Sequence, residues 1–189
     1  MSRPALFRAL SLMLVLALAL AAGSAEARRH VYSYDPADPA TTKATGPVTL
    51  DLADNILGVV TVFDLRSTVA EASADLRRAP PRDLGPGGIE RLTGPHSGLG
   101  ALYAIAPGEQ GSQLIDALCP GSKRAWLAIG HVGFDEDLKI AVIGDHGPGA
   151  PTHLCQKLAY TFHGEWAIPP TGPKIDERGL VRRHFPGGP

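Results

Sequence analysis

The chain of 189 residues carries 18 lysines and arginines against 19 aspartates and glutamates, and its formal net charge is −1. With no block of basic residues and no aromatic residues interleaved with such a block, this balance argues against a protein that binds nucleic acid or a membrane surface through charge. Glycine and proline occur 22 and 17 times, which predicts short elements joined by many turns.

The first 27 residues have the pattern of a secretory signal peptide. Arg3 and Arg8 precede an almost purely apolar run at 9–22, and small residues follow the run. We therefore expect cleavage after Ala27. The alternative is an uncleaved anchor, but spanning a bilayer takes about 20 apolar residues and this run is shorter. No cysteine follows the run as an acceptor for lipid. We therefore predict a periplasmic or secreted protein whose mature form has no stable membrane anchor.

The first half of the mature chain is predicted to begin with a lead-in segment and a β-hairpin. Residues 28–47 are rich in proline, threonine and aspartate, which indicates an ordered or half-ordered lead-in outside the main domain. Residues 48–52 alternate between apolar and polar side chains, as a half-buried strand does. Residues 56–65 are β-branched and apolar on both faces, which predicts a strand covered from both sides. The two strands would form a hairpin across 53–55.

Residues 68–76 are ambiguous between a strand and a helix. Alanine and leucine alternate with polar residues, which favours a strand, whereas the spacing of Thr68 and Glu71 is that of a capping box. We favour the strand because the alternation is unbroken. Residues 79–100 contain clustered prolines and glycines and are predicted to form a long surface loop.

The second half of the mature chain contains one predicted helix among four predicted strands. The strands are expected at 101–106, 124–132, 138–144 and 155–166, from apolar runs or clean alternation. The helix is expected at 112–118, where the apolar residues share one face and Pro-Gly follows.

These elements predict an α+β fold that consists mainly of antiparallel β-sheet with one or two short helices. The connection at 133–137 is too short for the crossover that parallel strands need. After the signal peptide at 1–27 and the lead-in at 28–47, we expect one β-rich globular domain at 48–169. Residues 170–189 have little apolar surface and are expected to form a flexible tail.

The two cysteines, Cys119 and Cys155, are predicted to form a disulfide bond because an exported protein meets an oxidising compartment. The bond would join the end of the short helix to the start of the last strand and contribute roughly 3–4 kcal/mol in the chain-entropy model. The alternatives are two free or metal-binding thiols, or a redox-active pair, although the spacing is not that of a CxxC motif.

A group of histidines is the candidate metal site. Asp145, His146 and His153 lie in or beside one connection between two strands, and His131 follows the preceding strand. Three imidazoles and a carboxylate are ligands that zinc or copper accepts. The alternative is that these are solvated loop residues, because their spacing matches no established ligand motif. His163 and Glu165, predicted on one strand face, form another possible acid–base pair.

No familiar catalytic motif is present; for example, Pro95 and Leu99 flank Ser97 where a nucleophile elbow has glycines. We therefore favour a non-enzymatic binding or interaction module of the cell envelope, with no cofactor, whose partner is an envelope protein or a small ligand. The long loop at 79–100 is the expected contact region. The alternative function is a metal-binding protein or metal-dependent hydrolase that uses the histidines.

Overall fold

The computed structural model describes residues 28–55 and 57–166. The elements in chain order are β1 (Arg28–Pro36), α1 (Pro39–Ala44), β2 (Val48–Asp54), β3 (Val60–Ser67), β4 (Ala72–Arg78), α2 (Gly88–Thr93), β5 (Ala101–Ile105), α3 (Glu109–Leu118), β6 (Arg124–Ile129), β7 (Leu138–Asp145) and β8 (His153–Trp166). The signal peptide and the flexible tail that the sequence predicts lie outside the described residues.

The eight strands form one closed antiparallel barrel in which each strand pairs with the next one along the chain. Closure comes from β1, which pairs with β2 on one side and with β8 on the other. The predicted class, mainly antiparallel β with short helices in a single small domain, is confirmed. Closure is a more specific arrangement than the sequence predicted, and it gives each of the eight strands two paired neighbours, unlike the edge strands of an open sheet.

The segment 28–47 is part of the barrel rather than a lead-in outside it. Tyr32 and Tyr34 of β1 are 7% and 0% exposed and pack in the interior. Their alternation with polar residues is a strand pattern, but β1 is buried only because β8, more than 120 residues later, pairs with it. Helix α1 follows, with Asp38 as its N-cap accepting a hydrogen bond from the Thr41 N–H.

Strand β2 is confirmed and extends to Asp54, but β3 starts later than predicted, at Val60. The turn between them is stabilised by the side-chain oxygen of Asn55, which accepts hydrogen bonds from the N–H groups of Leu57 and Val59, both at 3.0 Å. Strand β3 is not covered on both faces, since Phe63 points outward and is 42% exposed. A strand in a barrel wall has one face toward the interior and one toward the exterior. Its outer face is buried only where another segment of the chain packs against the outside of the barrel.

The ambiguous stretch 68–76 is a turn followed by a strand. Strand β4 begins at Ala72, and its alternating residues Ala72, Ala74 and Leu76 are buried in the barrel interior. The preference for a strand is confirmed over that part. The capping-box spacing instead falls in the turn, where Glu71 has a φ of 47°.

The segment 79–100 is not a plain loop, because it contains a 3-10 turn (Pro81–Leu84) and helix α2. Leu84 and Ile89 are buried against the outer faces of β6 and β7, where they form a second hydrophobic cluster with Trp126 and Ile143. This cover explains why β6 and β7 are apolar on both faces in the sequence. Hydrophobic side chains on the outer face of a barrel are buried only where another segment, here 79–100, covers them.

Helix α3 closes one end of the barrel. Its residues Leu114, Ile115 and Leu118 are 0%, 6% and 1% exposed and belong to the interior core. The helix starts at Glu109, three residues before the predicted start. Three α-helices are present in the described residues, one more than the upper number expected. No helix in this part of the chain is both long and apolar enough to cross a membrane.

The predicted disulfide bond between Cys119 and Cys155 is confirmed, with 5.3 Å between the two Cα atoms. Cys119 is the C-cap of α3, and Cys155 lies near the start of β8. The bond therefore ties the helix to the wall of the barrel at this end, which we call the plugged end. The opposite end, formed by the connections 55–59, 79–100 and 130–137 and by the outer termini of β1 and β8, is called the open end.

Candidate functional site

The barrel wall parts between β3 and β4 toward the open end. The two strands pair from the Ser67–Ala72 pair to the Asp64–Asp75 pair, and no pairing follows. Beyond that point β4 pairs only with β5, through Leu76 to Arg78. The start of β3 therefore turns one backbone edge toward a gap rather than toward a neighbouring strand.

Tyr103 of β5 reaches across this gap. Its hydroxyl oxygen accepts a hydrogen bond from the backbone N–H of Val62 at 3.3 Å. Both residues are 1% exposed, and a buried N–H that leaves the ladder needs an acceptor of this kind. A side-chain hydroxyl thus takes the place of a strand carbonyl as the acceptor for this N–H.

A cavity of about 200 Å³ lies at the gap. Its wall consists mainly of side chains from the inner faces of β3 to β6, and the connection after β6 completes it. The principal lining residues are Val60, Val62, Arg78, Tyr103, Ile129 and His131. An apolar cavity of roughly 150 Å³ accommodates benzene, so this one can admit a single ring with a small substituent.

Arg78 is the arginine in the lining of this cavity. It lies opposite Tyr103 in the β4–β5 register and therefore on the same inner face. The centre of its guanidinium group is 5.9 Å from the centroid of the Tyr103 ring, within the range of a cation–π interaction. Arg78 makes no ion pair or side-chain hydrogen bond with any described residue. The cavity thus has mainly apolar walls, with Arg78 and His131 as the ionisable side chains in its lining.

The open end also carries most of the exposed large apolar side chains. Among the six such residues in the described chain, four lie at this end: Leu57, Val59, Phe134 and Trp166, with exposed fractions between 49% and 81%. Phe134 packs edge-on against Phe162 of β8, with ring centroids 5.3 Å apart. Of the four, Val59 also lines the cavity, so part of this exposed apolar surface borders the candidate site.

On the opposite side of the open end, His30 bridges two carboxylates. Its Nδ1 lies 2.5 Å from Glu165 Oε1, and its Nε2 lies 3.2 Å from Asp54 Oδ1. The hydrogen bond with Glu165 is the main reason that the pKa of His30 is raised, with a smaller contribution from Asp54. With a carboxylate on each ring nitrogen, the doubly protonated imidazolium is the form that this position favours. The cluster joins the ends of β2 and β8 across β1.

The structure does not bring the predicted metal ligands together as one set. Asp145 is 1% exposed and its carboxylate pairs with Arg124, whose Nε donates to both of its oxygens at 3.1 Å. His131 lies beyond the other end of β6, a strand whose length from Arg124 to Ile129 is about 16 Å at 3.3 Å per residue. It pairs with Glu136 at 3.0 Å. His146 and His153 do meet, with stacked rings whose centroids are 5.1 Å apart.

His163 and Glu165 do not form a pair either. A register shift in the β1–β8 pairing places Gly164 opposite Ser33 but Phe162 opposite Tyr34. Glu165 consequently binds His30, whereas His163 Nδ1 binds Asp35 Oδ2 at 2.7 Å. A bulge changes which face a side chain takes, and simple alternation does not reveal it.

Arg78 and His30 are the site residues that the sequence analysis missed. Each continues an inward alternation, Arg78 after Leu76 and His30 before Tyr32, and a charged residue at an inward position was the available signal. That signal depends on knowing where each strand ends, since an inward charge is tolerated at the mouth of a barrel and costly in its middle.

Other, larger depressions lie on the outer surface. One of about 330 Å³ lies beside β7 and β8 with Lys139 and Lys157 in its wall. One of about 500 Å³ lies between α1 and α3, and one of about 280 Å³ lies between β4 and the start of α3. None of the three is lined mainly by the inner faces of the strands, and this distinguishes them from the cavity at the gap between β3 and β4.

Comparison with known proteins gives no match to any family model, curated protein or solved structure. The geometry alone defines the class: a closed eight-stranded antiparallel barrel, plugged by a disulfide-tethered helix at one end and open at the other. Eight strands give an interior that either fills with side chains or holds one small ligand. In this chain the interior is filled toward the plugged end, and the cavity lies toward the open end.

Proposed function

We propose that this chain is an exported, non-enzymatic binding protein whose ligand is a small aromatic acid. The ligand's ring would enter the cavity between β3 and β4, and its carboxylate would pair with Arg78. The observation that carries the proposal is the position of the Arg78 guanidinium above the Tyr103 ring, in the lining of a cavity whose other side chains are mostly apolar. The cavity volume limits the apolar part to about one ring.

The chemistry of the lining supports an acid rather than a neutral molecule. Valine, isoleucine and tyrosine walls stabilise an apolar body by excluding water from it, at about 25 cal/mol for each Å² buried. An arginine can bind a carboxylate through two parallel N–H donors. Arg78 has no acidic partner among the described residues, so a ligand carboxylate would not have to displace one.

Export is supported by the disulfide bond between Cys119 and Cys155, because such bonds persist mainly in oxidising compartments. The pattern of residues 1–27 supports it from the sequence. Intact mass spectrometry of the secreted or periplasmic fraction tests this part. We expect a mature chain that starts at Arg28 and whose thiols react with an alkylating reagent only after reduction. A cytoplasmic protein that keeps Met1 would contradict it.

Calorimetric titration with benzoate and with the neutral isostere benzamide tests the ligand class. We expect benzoate to bind one site and benzamide to bind at least about tenfold more weakly, since a charge-assisted hydrogen bond contributes about 1.5–3 kcal/mol. Arg78→Met should remove this preference. Arg77→Met is the matched control, because its side chain is on the outer face of the same strand.

A second variant distinguishes the cavity from the surface. Ala101→Phe places a ring in the cavity wall and should abolish benzoate binding while the barrel stays folded, as judged by circular dichroism. The proposal is wrong if benzoate binding is absent in the native protein, or if it persists unchanged in both Arg78→Met and Ala101→Phe.

A further inference from the structure

A second group of chemically reactive side chains lies at the plugged end, away from the cavity. The Sγ atoms of Cys119 and Cys155 and a ring nitrogen of His153 all lie within 4.8 Å of one another. Cys119 Sγ is 3.8 Å from His153 Nε2. The sequence analysis predicted a disulfide, with two free or metal-binding thiols as an alternative, and placed His153 in a separate histidine site. The fold places the two cysteines and His153 in one cluster.

The neighbouring residues hold this cluster in place. The ring of His153 stacks on that of His146 with an angle of 21° between the planes, and His146 Nδ1 lies 3.0 Å from the carbonyl oxygen of Gly121. Ser122 Oγ lies 3.0 Å from Cys119 Sγ, where its hydroxyl can donate to a thiolate. Cys119 is buried, whereas Cys155 and His153 are half-buried, so the cluster is accessible from one side.

Strand β7 passes directly under the cluster at Gly144. A Cβ atom at this position would overlap both Cys119 Sγ and Ser122 Oγ. The absence of a side chain at Gly144 therefore lets the sulfur and the hydroxyl lie directly on the barrel wall. The imidazole then approaches from the start of β8.

We propose that the cysteine pair has two states, a disulfide and a reduced state that binds one zinc ion through Cys119, Cys155 and His153. Two thiolates and one imidazole are a donor set that zinc accepts in proteins, with water as the fourth ligand. The three side chains come from the end of α3 and the start of β8, whose positions the barrel fixes. The proposal is independent of the ligand proposed for the cavity.

The change between the two states balances as a thiol–disulfide exchange. A dithiol reductant supplies two electrons and two protons, the S–S bond breaks, and the reductant becomes a disulfide. Zinc then displaces the two thiol protons, which pass to solvent. Since the sulfur atoms cannot be bonded to each other and act as two thiolates together, the disulfide and the metal exclude one another.

Titration with cobalt(II), used as a spectroscopic substitute for zinc, tests the proposal on the mature protein. After reduction with a phosphine under anaerobic conditions, we expect one cobalt per chain and a thiolate-to-metal charge-transfer band, which zinc then abolishes by competition. The oxidised protein should show neither. His153→Ala should weaken binding by more than about tenfold, because even removal of an outer-shell partner of a metal ligand costs that much.

His131→Ala is the matched control, since His131 is exposed at the open end, and it should bind cobalt like the native sequence. Circular dichroism of the reduced protein, with and without zinc, shows whether the barrel remains folded. Cobalt binding of equal strength in the native protein and in His153→Ala would overturn the proposal, whether or not the reduced barrel is folded. So would the absence of binding after complete reduction, or equal binding to the oxidised protein.

Discussion

The hydroxyl of Tyr103 accepts a hydrogen bond from the backbone N–H of Val62 at 3.3 Å, across the gap where β3 leaves β4. The bond satisfies a buried donor that would otherwise have paired with a strand. It also lies in the wall of the cavity in which we propose that a ligand binds. The proposed binding site therefore shares a side chain with a contact that stabilises the barrel.

Replacing Tyr103 with phenylalanine should destabilise the protein by about 1–3 kcal/mol, because the Val62 N–H would stay buried without a partner. Urea unfolding measures the free-energy change. Hydrogen exchange localises it, since the Val62 amide should lose protection more than amides of β6 and β7. Unchanged exchange at Val62 would show that the hydroxyl is not its acceptor.

Replacing Tyr34 with phenylalanine is expected to have the opposite effect on stability. Its hydroxyl is fully buried, and it is the one buried side-chain polar atom among the described residues without a hydrogen-bond partner. Burial raises the pKa of Tyr34, so the hydroxyl stays a neutral donor. Tyr34→Phe should therefore stabilise the barrel, by about 1 kcal/mol or more.

The matched control is Tyr160→Phe, which removes a buried hydroxyl that is paired with Thr45 Oγ1 at 2.8 Å. This variant should lose about 0.5–1.5 kcal/mol. Thermal unfolding compares the two, and 1 kcal/mol corresponds to a shift of about 2–4 °C for a chain of this size. A lower melting temperature for Tyr34→Phe would mean that the hydroxyl has a partner in solution.

Gly144→Ala should be strongly destabilising, because the added methyl group overlaps Cys119 Sγ and Ser122 Oγ and lies 3.0 Å from Ser122 Cβ. Overpacking of this kind costs typically 1–3 kcal/mol. Gly164→Ala, also in a strand, is the control, since nothing lies within 4 Å of its Cβ position. It should be neutral or slightly stabilising, as alanine loses less conformational entropy than glycine. Equal unfolding midpoints in urea for the two variants would contradict this account.

The His30 cluster should make stability depend on pH. The hydrogen bond with Glu165, and then that with Asp54, raises the folded-state pKa of His30 above its ordinary value of 6.5. A group whose pKa is raised by folding contributes stability that is complete below the unfolded-state pKa. That contribution is lost as the pH rises through the folded-state pKa. The barrel should therefore lose stability from about pH 6.5 upward.

Urea unfolding at several pH values measures this loss, and the variant His30→Asn should show a smaller decrease over the same range. Imidazole NMR signals give the pKa of His30 directly in the native protein. Glu165→Gln should lower that pKa more than Asp54→Asn, because the hydrogen bond with Glu165 is the larger cause. A His30 pKa at or below 6.5 would contradict the cluster.

The sequence was most informative where local pattern and burial agree. The alternation of β2 and β4 and the apolar runs of β6 and β7 identify strands because side chains of a strand point to opposite faces. The disulfide bond followed from two cysteines and an export signal. The metal set failed because spacing along the chain says little about distance across a barrel. In the structure Asp145 pairs with Arg124, whereas His131 lies at the open end of the barrel and pairs with Glu136.

The sequence by itself determined that the protein is small, β-rich, mainly antiparallel and stapled by Cys119 and Cys155. Only the tertiary structure decided that β1 closes the barrel with β8, that 79–100 covers the outer wall, and that β3 and β4 part around a cavity. The physical reason is that alternation and turn residues act between near neighbours. The closure of the barrel, the packing of 79–100 on its outer wall and the cavity all depend on contacts between segments that are far apart in the chain. The free energy of such contacts is not encoded in any local sequence pattern.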